Sequence, residues 1–143
     1  MMGPELSPAE DPKAFFRQIR VVDREISELQ EVRLGLRASL YSIGGSGTPS
    51  GGSRDPDRFG RILSRVEGVE EKITARMERL AALKGQAVEI IEALPDVAQR
   101  SVLRRRYLMG QEWPVIARAM HYDERQIYRI HGKALESVRV MCQ

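Results

Sequence analysis

The chain has 143 residues, 30% of them charged and 6% aromatic, with a net charge of +3 and a single cysteine. That length allows one compact domain, or a small domain plus an extended element, and its wealth of helix formers with few β-branched alternations excludes a sheet protein in favour of an all-α one. Cys142 alone excludes an intramolecular disulfide, no stretch reaches the roughly 18 apolar residues of a membrane span, and no basic segment leads into an apolar run as in a signal peptide. A soluble, cytoplasmic protein is expected, with no membrane partner.

Residues 1–12 hold three prolines and a glycine and are expected to form a flexible N-terminus. Ser7 with Pro8, or Asp11 with Pro12, can start the first helix, because proline is tolerated in a first turn. An apolar stripe then runs Phe15, Ile19, Val22, Ile26, Leu29, Leu36, Leu40, Ile43, with Arg33 as its one polar member. Its steps of three and four are those of a heptad seam. The Gly/Ser-rich segment at 44–57 interrupts it and cannot bury a core, so it reads as a flexible loop. Asp55 before Pro56 reads as the cap of the next helix.

A second stripe follows at Phe59, Ile62, Val66, Val69, Ile73, Leu80, Leu83, Ala87, Ile90 and Leu94, with Arg76 as its polar member. Residues 13–94 are thus expected to form a long, antiparallel, coiled-coil-like helical hairpin. Folding at the loop pairs Leu36 with Val66 and Leu29 with Ile73, and sets Arg76 near Ile26, where its stem can lie along the seam while its head stays in water. Two helices alone bury little surface, so a homodimer through the hairpin is a further expectation.

Pro95 breaks the second helix, and 95–143 reads as three shorter helices. The first runs from about Asp96 to Met109, with Val97, Val102, Leu103, Tyr107 and Leu108 inward and Gly110 ending it. The second runs from about Glu112 to Met120, with Trp113, Ile116, Ala117 and Met120 on one side. The third runs from about Asp123 to Met141, with Ile127, Ile130, Ala134, Leu135, Val138 and Met141 inward. Asp123 and Gln126 have the spacing of a capping box. This segment carries nine basic against five acidic residues, a net +4, whereas the other 94 residues are at −1. Such asymmetry suits a C-terminal end that meets a polyanion.

The second and third of these helices, separated by about three residues, have the layout of a helix-turn-helix DNA-binding domain. Small Ala117 permits a close crossing, and the start of the third helix would enter the major groove of double-stranded DNA. At 100° per residue, Arg125, Arg129, Gly132 and Glu136 share one strip, with Gln126 and Lys133 beside it. Arg pairs bidentately with guanine and Gln with adenine, and Tyr128 flanks the strip within reach of a phosphate or thymine methyl. Arg104, Arg105, Arg106 and Arg118 are candidates for phosphate contact. Trp113 is expected to pack between helices.

The run Ile116-Ala117, nine residues, then Gln126-Ile127-Tyr128-Arg129-Ile130-His131-Gly132-Lys133-Ala134-Leu135 resembles the fourth conserved region of sigma-70-type factors. It is more similar still to the RinA/ArpU-like group of phage transcriptional regulators. That group shares a Gly-rich loop between two helices, then L-x-x-R-Y-x-x-G-x-x-W-x-x-I-A, then Q-I-Y-R-I-H. Here Leu103 to Tyr107, Gly110, Trp113, Ile116-Ala117, Tyr122 and Gln126 to His131 fill those places. The resemblance implies a sigma region-4-like helix-turn-helix and a phage or prophage late-gene activator acting at promoters with RNA polymerase, in the bacterial host cytoplasm. Two positions depart from common practice. His121 stands where many such turns carry Gly, so the turn must hold His in an unusual conformation, and Glu112 stands where a Ser or Thr cap is usual. Nothing matches the sigma segment that grips the −10 element, so a complete sigma factor is not implied.

No Gly-Lys-Ser/Thr phosphate loop, no nucleophile with a fitting base and no His/Cys cluster occurs, so no enzyme, cofactor or metal site is expected. His131 reads as a polar packing residue. Two other functions share the layout: a small-terminase-like DNA-packaging protein, which assembles into rings, and a sigma-like RNA polymerase adaptor with weak DNA binding.

Overall fold

Asp11 starts the first helix: its side chain accepts from the Ala14 N–H at 3.0 Å and its carbonyl from the Phe15 N–H. The resulting helix, α1, spans Pro12–Gly45. In this computed structural model, which describes residues 7–45 and 56–143, every regular element is helical. Helix α2 spans Arg58–Glu92, α3 Val97–Leu103 with a π-helical turn at Arg104–Leu108 continuing it, α4 Trp113–Met120 and α5 Glu124–Met141. Among the described residues no helix is long and apolar enough to cross a membrane. The expected flexible stretches lie largely outside the described residues, at 1–6 and 46–55, as does Asp55. Residues 7–11 differ from the expectation of a loose end. Ser7 closes a turn by accepting from the Glu10 and Asp11 N–H groups at 3.1 Å, and Pro8 and Pro12 are buried.

The chain divides into two compact units. One comprises Asp23–Arg79. Its buried apolar residues are Ile26, Ile62, Val66 and Ile73, while Leu29, Leu36, Leu40 and Val69 on the same stripes remain half-buried. Phe59, the expected first member of the second stripe, is 48% exposed as the second residue of α2. Two ion pairs link the helical stretches of this unit, Glu25 with Arg76 and Arg37 with Glu70, so higher numbers in α1 meet lower numbers in α2.

The other unit comprises Met1–Val22 and Leu80–Gln143. Its core holds Phe15, Phe16, Ile19, Leu83, Ala87, Ile91, Leu94, Val102, Leu103, Ile116, Ile127, Ala134 and Val138, all buried. Phe16 was not on the expected stripe. A two-helix seam would leave it outside, but Tyr107 covers it, ring centroids 4.9 Å apart. Ile91 likewise replaces Ile90 as the fully buried residue, because α2 continues in steps of four, Leu83, Ala87, Ile91, to the end. Helices α3 and α4 both pack on α5. Val102, Ile116, Ala117 and Ile127 form their common centre, with Trp113, Met120 and Ile130 against it.

Two expected inward residues are found outside. Val97, in the first turn of α3, is 70% exposed, and Met141 is exposed at the end of α5, where no further element covers it. The expected continuous helix over 96–109 is also divided. After Leu103 the bonding widens, with the Met109 N–H reaching the Arg104 carbonyl at 3.0 Å and the Gln111 N–H the Arg105 carbonyl at 2.9 Å. Gly110, at φ 67°, then turns the chain in a conformation that costs glycine nothing.

Candidate nucleic-acid interface

The junction between α4 and α5 sets the direction of α5, and both of its ends are held by defined hydrogen bonds. Helix α4 closes with the Tyr122 N–H on the Ala117 carbonyl at 3.0 Å and the His121 N–H on the Arg118 carbonyl at 3.3 Å. This is the Schellman arrangement, whose penultimate position requires left-handed backbone. His121 supplies it at φ 60°, ψ 39°, as the departure from Gly demanded. Helix α5 opens with a complete capping box: the Asp123 carboxylate accepts from the Gln126 N–H at 2.8 Å, and the Gln126 side-chain oxygen accepts from the Asp123 N–H at 3.1 Å. Gln126 is exposed, but its oxygen is already engaged. A bidentate grip on adenine must share that oxygen with the cap.

The α5 strip is on the surface. Arg125, Arg129 and Lys133 are exposed, as is Arg118 on α4, and none of these four side chains has a hydrogen bond or ion pair among the described residues. Opposite them, Ile127, Ala134 and Val138 are fully buried. Tyr128 is 48% exposed, with its ring edge-on to Trp113 at 5.1 Å.

The three consecutive arginines of the π-helical turn are placed differently. Arg104 pairs with Glu92 at 2.9 Å, both partly exposed. Such a surface pair is worth at most about 1 kcal/mol and yields readily to a phosphate. Arg105 is half-buried and donates to the Gln111 side-chain oxygen at 3.4 Å. Arg106 has only 14% of its side chain exposed. Its guanidinium stacks on Trp113, 4.2 Å from the ring centroid, and donates to the Gln111 carbonyl and the Glu112 carboxylate. Of the three, Arg106 holds the start of α4 and offers the least surface to a phosphate.

Glu112 explains its own departure from the usual cap. Its side chain makes no cap hydrogen bond and binds Arg20 of α1 at 2.8 Å and Arg106 at 3.4 Å. The hydrogen bond from Arg20, then the charge of that guanidinium, holds the Glu112 carboxyl below its ordinary range. Arg20 also donates to the Arg106 carbonyl at 3.2 Å. Neither Arg20 nor Phe16 was singled out from the sequence. Their partners lie 86 or more residues away, and no local pattern carries such a contact. Arg100 was counted only as charge, yet it donates to the Leu94 and Pro95 carbonyls, which the break at Pro95 leaves without helical partners.

His131 lies on the inner flank of α5 among aromatic rings. Trp113 is edge-on at 4.8 Å and Tyr107 is 5.8 Å away, with the Tyr107 hydroxyl 2.7 Å from Nε2. Burial, then the nearby charges of Arg106 and Lys13, push the imidazole down to about 4. Burial pushes the Tyr107 phenol up. At neutral pH the phenol and the imidazole are therefore both neutral, and the imidazole tautomer sets which of them donates in the bond between them. Through this bond and the Arg106–Trp113 stack, α5 is fixed to the segment carrying the three arginines.

No family model matches the chain, and no curated protein or solved structure is similar to it.

Proposed function

We propose that this protein is a sequence-specific DNA-binding transcriptional regulator, with α4 and α5 as a helix-turn-helix whose α5 enters the major groove. The observation that carries the reading is the set Arg118, Arg125, Arg129 and Lys133, exposed and without ion pairs on and beside a helix whose opposite face is fully buried. Four cations left open around one helix suit a polyanion. The Schellman turn and capping box support the same reading, because a base-reading helix must be held rigidly in direction. Arg104 and Arg105 flank as phosphate contacts.

In this proposal α1 and α2 form an antiparallel hairpin, supported by the Glu25–Arg76 and Arg37–Glu70 pairs. The half-buried Leu29, Leu36, Leu40 and Val69 favour a second copy of the chain against it. The motif resemblance over 103–135 extends the reading to a phage or prophage late-gene activator working with RNA polymerase in the host cytoplasm, without catalysis, metal or cofactor. The test is enrichment of randomised duplex DNA on the purified protein at two salt concentrations. A recurrent motif that survives the higher salt is expected. Motif-free binding that vanishes with salt would leave phosphate attraction alone and move the reading to a packaging protein or a polymerase adaptor.

A further inference from the structure

Gly132 stands in the middle of the α5 strip, nine residues into an 18-residue helix. Glycine inside a helix costs about 1 kcal/mol against alanine, because its backbone loses more freedom and it brings no side chain. Glycine usually offsets that cost by relieving a crowded contact within the protein. Gly132 relieves none: it is exposed, and a Cβ built on it meets nothing within 4 Å. Gly35, Gly60, Gly68 and Gly85 are equally uncrowded, so the absence of a neighbour does not by itself set Gly132 apart. Its position does. It falls 20° from Arg125, 40° from Glu136 and 60° from Arg129 on the helical wheel, and Lys133 follows it directly. A bare stretch of backbone therefore lies among the longest cationic side chains of the strip.

We infer that Gly132 is a point of close approach between α5 and the DNA, where a sugar–phosphate strand packs against bare helix backbone while Lys133 reaches past it to the phosphate oxygens. In a helix-turn-helix the first turns of the second helix meet base edges, and its later turns pass the wall of the groove. Gly132 lies more than one turn beyond Arg125 and Gln126, on that later part. This inference rests on the DNA-binding reading and adds to it a residue that acts through lacking a side chain. A side chain at this position holds the strand away and weakens every duplex alike, since the backbone is common to all sequences.

The test compares wild type, Gly132→Ala, Gly132→Leu and, as control, Gly85→Ala, by duplex affinity on one fixed and one randomised DNA and by thermal melting. Both alanine variants should melt roughly 2–3 °C higher than wild type. Gly132→Ala should bind both duplexes roughly fivefold more weakly and Gly132→Leu more than tenfold, the graded loss of a steric contact. Gly85→Ala should bind as wild type. If wild type binds DNA and the Gly132 variants bind equally well, the close approach is overturned and the DNA-binding reading stands. If wild type binds no duplex, that reading falls and this inference falls with it. A Gly132→Ala variant that melts lower would show a structural need for glycine and would equally overturn the inference.

Discussion

Arg129 and Arg105 both carry a positive charge in the same unit, yet their loss should read differently. Arg129 is exposed and free on the α5 strip, so Arg129→Ala should cost roughly 1–3 kcal/mol of binding and relax sequence preference. Arg105 sits on the π-helical turn, so Arg105→Ala should weaken all duplexes about equally. Competition binding against a panel of duplexes separates the two, and identical effects of both on every sequence would refute direct base reading by Arg129. His131 gives a prediction in pH. Unfolded, its imidazole titrates at the ordinary 6.5, whereas folded it titrates at about 4. Between these values the unfolded chain holds the extra proton, so stability is complete above pH 6.5 and falls as the pH drops toward 4. Melting temperatures followed across this range should decline in wild type and decline less in His131→Gln, which does not titrate there.

The elements around α5 depend on two small devices whose removal should be measurable. Asp123→Ala removes the capping box and should cost about 1 kcal/mol, read by chemical denaturation. The Gln126 oxygen keeps its partner in this variant, because it accepts from the backbone N–H of residue 123. His121→Gly relieves left-handed strain and should stabilise by roughly 1 kcal/mol with DNA affinity unchanged. The starts and stops of α4 and α5 were legible in the sequence because capping is local: Asp123 and Gln126, or Gly110, act on backbone groups within a few residues. The division of α3 by the π-helical turn was not legible. Arg104 to Leu108 carries no helix breaker, and the wide turn accompanies contacts that Arg106 and Tyr107 make with Trp113, His131 and Phe16.

At the scale of the whole molecule, charge predicts how binding responds to salt. If Arg104, Arg105, Arg118 and Lys133 each meet a phosphate, the logarithm of the association constant should fall against the logarithm of salt with a slope of about −3.6. A titration from low to moderate salt measures it, and a slope near zero would refute polyanion binding. The half-buried leucines of the Asp23–Arg79 unit predict self-association at micromolar concentration. Equilibrium sedimentation showing only monomer would remove the second copy from the proposal.

The sequence by itself determined that the chain is helical, where α4 and α5 begin and end, and which face of α5 is cationic. Periodicity, capping and charge placement act over a few residues, and those distances are written in order along the chain. Only the tertiary structure decided which cations remain available. Arg104, Arg105 and Arg106 are chemically identical neighbours, but Arg106 is drawn under Trp113 and against Glu112, Arg104 is paired with Glu92, and the α5 residues are left open. It likewise decided that Arg20 and Phe16, at the start of α1, complete the surroundings of α4 and Tyr107. Those contacts bring together residues some ninety positions apart, and no local spacing encodes them.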